Sequence, residues 1–211
     1  MKIKIYIIII LSSIVFIAGK CDRITDNKNN TEEQIWWNTL NKTWKIVFLR
    51  EIDKIGKEPS EEDLLKIINL EKVNCDHFPL GETNLDPLRK LKRLKSISAG
   101  STFIQNINAL ADLDSLIDVC IPDNHVSSLE ALRGHKMLES IYIQMNDIKD
   151  LNPLADKNKL QVLVVFDTKI KTIAPVMELP ILSIFQVSEE NIPAKEKELF
   201  KQKHPDCDVN F

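Results

Sequence analysis

The sequence predicts an α/β solenoid, a stack of short strand-and-turn units closed by a cap at each end. Three observations carry this. Aliphatic residues return every 22 positions through five rows, with no gap between Leu94 and Ile192. Within each row they follow the spacing LxxLxL, whose alternating end marks a strand. Segments with helical spacing flank the array on both sides. Composition agrees. Of 211 residues, 44% are hydrophobic and only 6% aromatic, so the core is aliphatic and the length is that of about one domain.

In chain order, the first element is an address. Residues 1–20 have a basic start (Lys2, Lys4), an apolar run from Ile5 to Ile17 and small residues at Ala18 and Gly19. This is the layout of a secretory signal peptide, and the run is short of the ~20 residues of a membrane span. Ala18-Gly19-Lys20-Cys21 resembles the lipobox of bacterial lipoproteins, in which the Cys is lipidated and becomes the mature N-terminus. Lys20 departs from the small residue that family places there, and the alternative is ordinary secretion with cleavage near Gly19. Residues 21–32 are polar and Asn-rich, suited to a tether. Removing Lys2, Lys4 and Lys20 from the 28 basic residues leaves 25 against 31 acidic, a net charge of −6.

Residues 33–69 read as a helical N-terminal cap. Thr31 to Gln34 fits a capping box, and Trp37, Leu40, Trp44, Val47 and Phe48 then recur at helical spacing. Ser60-Glu61-Glu62 opens a second helix carrying Leu64, Leu65, Ile67 and Ile68. Trp36, Trp37 and Trp44 are expected to plug the open end of the stack.

Residues 70–192 hold the repeats, whose full rows begin at Leu94, Leu116, Leu138, Leu160 and Leu182. The third row reads Leu138, Ile141, Ile143, Asn146, Ile148, Leu151, Leu154. A looser row precedes them (Leu70, Val73, Cys75, Phe78, Leu80, Leu85, Leu88), with two extra residues before Leu85. Positions 4 and 6 of a row lie on one face of the strand, and positions 3, 5 and 7 on the other. Position 9, where the chain turns inward, holds Thr102, Asn124, Asn146, Thr168 and Glu190. One row cannot offset the ordering of its residues at roughly 1.5 kcal/mol each, so only the array is stable. A further column runs Leu91, Leu113, His135, Lys157, Leu179, and its two polar members are expected at the rim, pointing outward.

Residues 193–211 read as a C-terminal cap. Pro193 starts an amphipathic run to Lys203, with Leu199 and Phe200 expected on its inner side. After Pro205, the alternation of Cys207, Val209 and Phe211 suggests an edge strand.

The repeat pattern resembles the leucine-rich repeat family, most closely its bacterial 22-residue, internalin-like class, from about Leu70 to Phe211. The resemblance implies a right-handed solenoid with a parallel β-sheet on its concave face. It implies that Asn124 and Asn146 bond the backbone of neighbouring turns in a ladder. Helix, Pro and short strand resemble the C-terminal caps of this class, so the chain is expected to carry both caps and no catalytic domain.

The same residues exclude several functions. The net charge of −3 for the whole chain argues against a nucleic-acid partner. There is no Gly-rich phosphate loop, GxSxG or HExxH, and His77, His125, His135 and His204 are scattered, so no enzyme, metal or cofactor is expected. Cys75, Cys120 and Cys207 fall too far apart in the stack for an internal disulfide. The basic run from Arg89 to Lys95 keeps Leu88, Leu91 and Leu94 at core spacing, which leaves its five charges facing water.

The concave positions give the candidate site. Early rows are small and polar, whereas the late rows gather Tyr142, Met145, Val162, Val164, Phe166 and Ile184, with acids along one edge. The expected function is non-enzymatic binding of a protein partner on this face, by an exported chain anchored to a membrane through Cys21. A glycan-binding module, with Tyr142, Phe166 or an exposed Trp as a stacking platform, and a structural spacer are the alternatives.

Overall fold

The computed structural model describes residues 30–80 and 85–211. The expected signal peptide, Cys21 and most of the tether lie outside the described residues.

Three helices, rather than the two expected, come first among the described residues. Helix α1 (Glu32–Thr39) starts at Thr31, whose Oγ1 accepts from the Gln34 amide at 3.2 Å. The apolar spacing runs on through Phe48, but the chain breaks at Leu40 and Asn41. Asn41 Oδ1 accepts from the Trp44 amide at 2.9 Å and begins α2 (Lys42–Glu51). An Asn is a strong N-cap and a poor helix-interior residue, so the cap wins over the apolar periodicity. Helix α3 (Glu61–Ile68) begins with a complete capping box between Ser60 and Asp63. Trp37, Trp44, Phe48, Leu64 and Ile67 are buried and form the plug.

Among the described residues, seven strands follow as one parallel sheet in chain order. They are β1 (Lys72–Asn74), β2 (Ser96–Ser98), β3 (Asp118–Cys120), β4 (Ser140–Tyr142), β5 (Val162–Val164), β6 (Ile184–Gln186) and β7 (Asp208–Asn210). The register advances by one sequence repeat per strand, placing Ile97, Val119, Ile141, Leu163 and Phe185 in one row. The end strands are two residues further off, Val73 opposite Ile97 and Val209 opposite Phe185. Positions 4 and 6 are buried in every row from Val73 and Cys75 to Phe185 and Val187. Short 3₁₀ turns, such as Glu130–Leu132 and Asn152–Leu154, carry the chain back along the opposite wall. The first edge of the sheet is closed by side chains of α2. Arg50 Nη2 donates to the Asn74 carbonyl, and Glu51 Oε1 accepts from the Asn74 amide at 3.4 Å.

Each of the first five strands leaves through a left-handed residue at position 8. His77, Ser101, Asp123, Met145 and Asp167 all have φ between 51° and 63°. The next residue turns inward. Asn124 Oδ1 accepts from the amides of Thr102 (3.2 Å) and Ile104 (3.1 Å) in the preceding repeat, while Nδ2 donates to Ala99 and Pro122 carbonyls at 2.8 Å. Asn146 repeats this, accepting from the Val126 amide at 3.0 Å and donating to the Ile121 and Ile143 carbonyls. The Thr168 hydroxyl donates only within its own turn, to Val165 at 2.7 Å.

His135 and Lys157 do not point outward as expected. His135 is 4% and Lys157 0% exposed. His135 Nε2 lies 3.1 Å from the Leu113 carbonyl oxygen, and Lys157 Nζ donates to the Arg133 carbonyl at 2.8 Å. Both fill the Leu column and supply a donor to the preceding repeat, which Leu cannot do. The buried ammonium also pairs with Asp156 at 2.7 Å.

The far end is closed by α4 (Ala194–Lys203) and β7. Phe200 packs on Phe185 at 4.8 Å between ring centres, and His204 stacks on Phe200 at 4.3 Å. Leu199, expected inside, is exposed, because α4 buries only Phe200 against the last row. The Glu196 carboxylate ties the helix to the array, accepting from the Ile173 amide at 2.8 Å.

Lys136 and then Lys157 donate to the Asp156 carboxylate and hold its pKa down to about 2. The unfolded carboxyl titrates near ~3.9, so this pairing stabilises the fold fully above about pH 4 and is lost as pH falls through about 2. Urea unfolding of Asp156→Asn should show reduced stability near neutral pH, with the deficit against the parent shrinking as the pH is lowered through that window.

Candidate interaction surface

In a strand, side chains alternate between faces, so the buried positions 4 and 6 fix positions 3 and 5 on the open face of the sheet. Register then sets neighbours. Val162 lies between Ser140 and Ile184, and Val164 lies between Tyr142 and Gln186. Strands about 4.8 Å apart bring these side chains into contact. Phe166 and Met145 follow at positions 7 and 8, where the chain leaves the sheet.

The early rows of this face satisfy their polar groups internally. Ser98 Oγ donates to both Asp76 carboxylate oxygens at 2.8 and 2.9 Å, and the Gly100 amide donates to Asp76 Oδ1 at 2.6 Å. Ser140 Oγ donates to Asp118 at 2.5 Å, and Ser101 Oγ to Asp123 at 2.7 Å. The late rows are different. Tyr142, Val162, Phe166 and Ile184 are half-buried side by side, and Met145 is 48% exposed in its left-handed position. Gln144, not singled out from sequence, borders them with its Oε1 buried and without a hydrogen-bond partner.

Val164 departs from expectation. The sequence groups it with the concave late-row residues of the candidate partner surface, but it is only 5% exposed. Its register neighbours are the larger Tyr142 and Gln186, and the larger Phe166 lies two residues on along its own row. Alternation gives the face on which a side chain lies, and the size of its neighbours decides whether water reaches it. Val164 therefore underlies the patch as its floor.

The other motifs resolve into structure. All five basic residues from Arg89 to Lys95 have partners. Arg89 meets Asp86 and Asp112, Lys90 meets Glu32, Lys92 donates to the Asp112 carbonyl, and Arg93 and Lys95 both meet Glu71. Trp37 and Trp44 are buried, and Trp36 is half-buried at a cleft it shares with Asp86 and Pro87. Cys75, Cys120 and Cys207 are free thiols, and burial raises the pKa of each. Among the described residues no His, Cys, Asp and Glu cluster suited to a metal occurs, and no helix is long and apolar enough to cross a membrane.

No protein-family model and no curated protein matches the chain. Among solved structures, it is similar to an internalin (InlF) from Listeria monocytogenes, with 21% identity and a TM-score of 0.62 over 74% of this chain and 45% of that one. It is also similar to the functional domain of InlJ from Listeria monocytogenes, which includes a cysteine ladder. There the identity is 20% and the TM-score 0.53, over 64% of this chain and 28% of that one. The chain thus spans less than half the length of either. These likenesses establish the leucine-rich repeat fold.

Burial of Val164 has a direct consequence for stability. Val164→Glu should place an unpaired charge under the patch and cost about 3 kcal/mol or more, whereas Met145→Gln should stay within about 0.5 kcal/mol of the parent. Equilibrium urea unfolding of the two variants checks both.

Proposed function

We propose that this chain is a non-enzymatic protein-binding module, exported and anchored through lipid on Cys21, that recognises a protein partner on the late rows of its concave sheet. The observation that carries the reading is the gradient along that face. Polar residues in the early rows pair with one another, whereas Tyr142, Val162, Phe166, Ile184 and Met145 leave an apolar surface of half-exposed side chains. Apolar surface gathered on an otherwise polar sheet is a mark of association. Because strands and turns hold the surface in place before binding, little ordering entropy is lost on contact.

The binding claim is tested by pull-down of envelope proteins with the parent, with Tyr142→Ser/Ile184→Ser, and with Ser96→Gln on the early rows as control. The double variant should weaken capture of the specific partner at least tenfold, in keeping with a few central residues carrying most of the affinity. Ser96→Gln should retain it. Equal capture by all three would overturn the reading.

The anchor is tested separately by detergent partitioning. The parent should enter the detergent phase, and Cys21→Ser should leave it or fail to mature. Equal partitioning of the two would contradict lipidation at Cys21.

A further inference from the structure

At the C-terminal end of the concave face the repeat pattern breaks, and the break opens a cleft of about 410 Å³. In the rows before it, position 8 is left-handed and position 9 turns inward. In the last row the chain instead winds into a single 3₁₀ turn, Glu189–Asn191, and Glu189 and Glu190 stay exposed. The cleft lies between these carboxylates, the rings of Phe166 and Phe211, and the amides of Gln186 and Asn210. Phe166 and Gln186 adjoin the proposed partner surface, so the cleft and the apolar patch form one continuous face.

The charged residues in the lining itself are both acidic, Glu189 and Glu190, while Lys197 and Lys201 stand at its Phe211 edge. Lys197 pairs with Glu189 at 2.7 Å, but neither Glu190 nor nearby Asp167 has an ion-pair partner among the described residues. Asp167 does not line the cleft, but its amide donates to Ser188 Oγ, which does, at 2.7 Å. The protein already sets cations against one of the rings, with Lys201 Nζ at 5.2 Å and Lys197 Nζ at 6.0 Å from the Phe211 centre.

Resting on the concave-face reading, we infer that this cleft receives a basic side chain of the same protein partner whose apolar residues cover Tyr142, Val162 and Ile184. The stem of an arginine or lysine fits along the Phe166 ring, and its charged head reaches the carboxylates. Arginine fits better, because a planar guanidinium both stacks on an aromatic face and bonds a carboxylate with two parallel donors. An acidic side chain would meet Asp167, Glu189 and Glu190 and be repelled. An apolar one would strip water from the Gln186 and Asn210 amides and from the carboxylates without replacing their hydrogen bonds.

The test is selection of a displayed random-peptide library on the immobilised full chain, followed by affinity measurement of the recovered peptides. The expected peptides carry Arg or Lys next to at least two apolar residues. They bind Asp167→Asn/Glu190→Gln at least tenfold more weakly than the parent and lose affinity as salt rises. The Tyr142→Ser/Ile184→Ser variant separates the two readings. Peptides that need Tyr142 and Ile184 but carry no basic residue, or bind Asp167→Asn/Glu190→Gln as tightly as the parent, overturn the cleft inference and leave the concave-face reading standing. Peptides indifferent to both double variants, or no enriched peptide at all, count against both.

Discussion

A turn that runs through the interior of a protein must find partners for its amides, because water is not there to supply them. In this chain, Asn124 and Asn146 meet that requirement across the boundary between repeats. One side chain accepts from the preceding repeat and donates to carbonyls of two repeats at once. The left-handed residue just before each of them aims the chain inward, and the buried aliphatic rows stack on the turns so fixed. His135 and Lys157 apply the same solution on the other side of the strands, each reaching a carbonyl of the repeat before it. The solenoid is thus held by apolar stacking within its columns and by polar side chains that bridge its rows.

From that frame follows the character of the open face. Its backbone is constant from row to row, so what differs is the side chains placed on it. Early rows use Asp76 and Asp118 to satisfy Ser98 and Ser140, and little is left for a partner. Late rows replace those pairs with Tyr142, Val162, Phe166 and Ile184 over the buried Val164. The ladder stops after Asn146, since Thr168 bonds only within its own turn, and the last row places Glu190 at that position with its carboxylate outside. Apolar surface and unpaired acid therefore adjoin where the repeat ceases.

Much of this was legible in the residues. A fixed period together with two-residue alternation gives strand position, face and register, and the pairings of β2 to β6 follow it with no slip. What was not legible depends on competition that a period does not encode. The apolar spacing from Trp37 to Phe48 runs through one helix, yet Asn41 caps a new one; Asn before Lys-Thr-Trp was the readable signal. His135 and Lys157 look like rim residues by polarity, but each satisfies a backbone carbonyl that only the folded array brings near. Leu199 fits an inner face by hydrophobicity, yet α4 touches the array mainly through Phe200. Val164 sits on the open face as read, and its burial comes from the size of neighbours a strand away.

The cross-repeat asparagines hold the stack together, and the most direct measurement of this is the unfolding free energy of Asn146→Ala against that of Thr168→Ala. Asn146→Ala leaves the Val126 amide and the Ile121 carbonyl without the partners they have, and should cost about 1–3 kcal/mol. Thr168→Ala removes one bond within a single turn and should cost clearly less. An Asn146→Ala protein that unfolds at the parent's urea midpoint, or one less affected than Thr168→Ala, would contradict the claim that polar bridging between repeats holds this stack together.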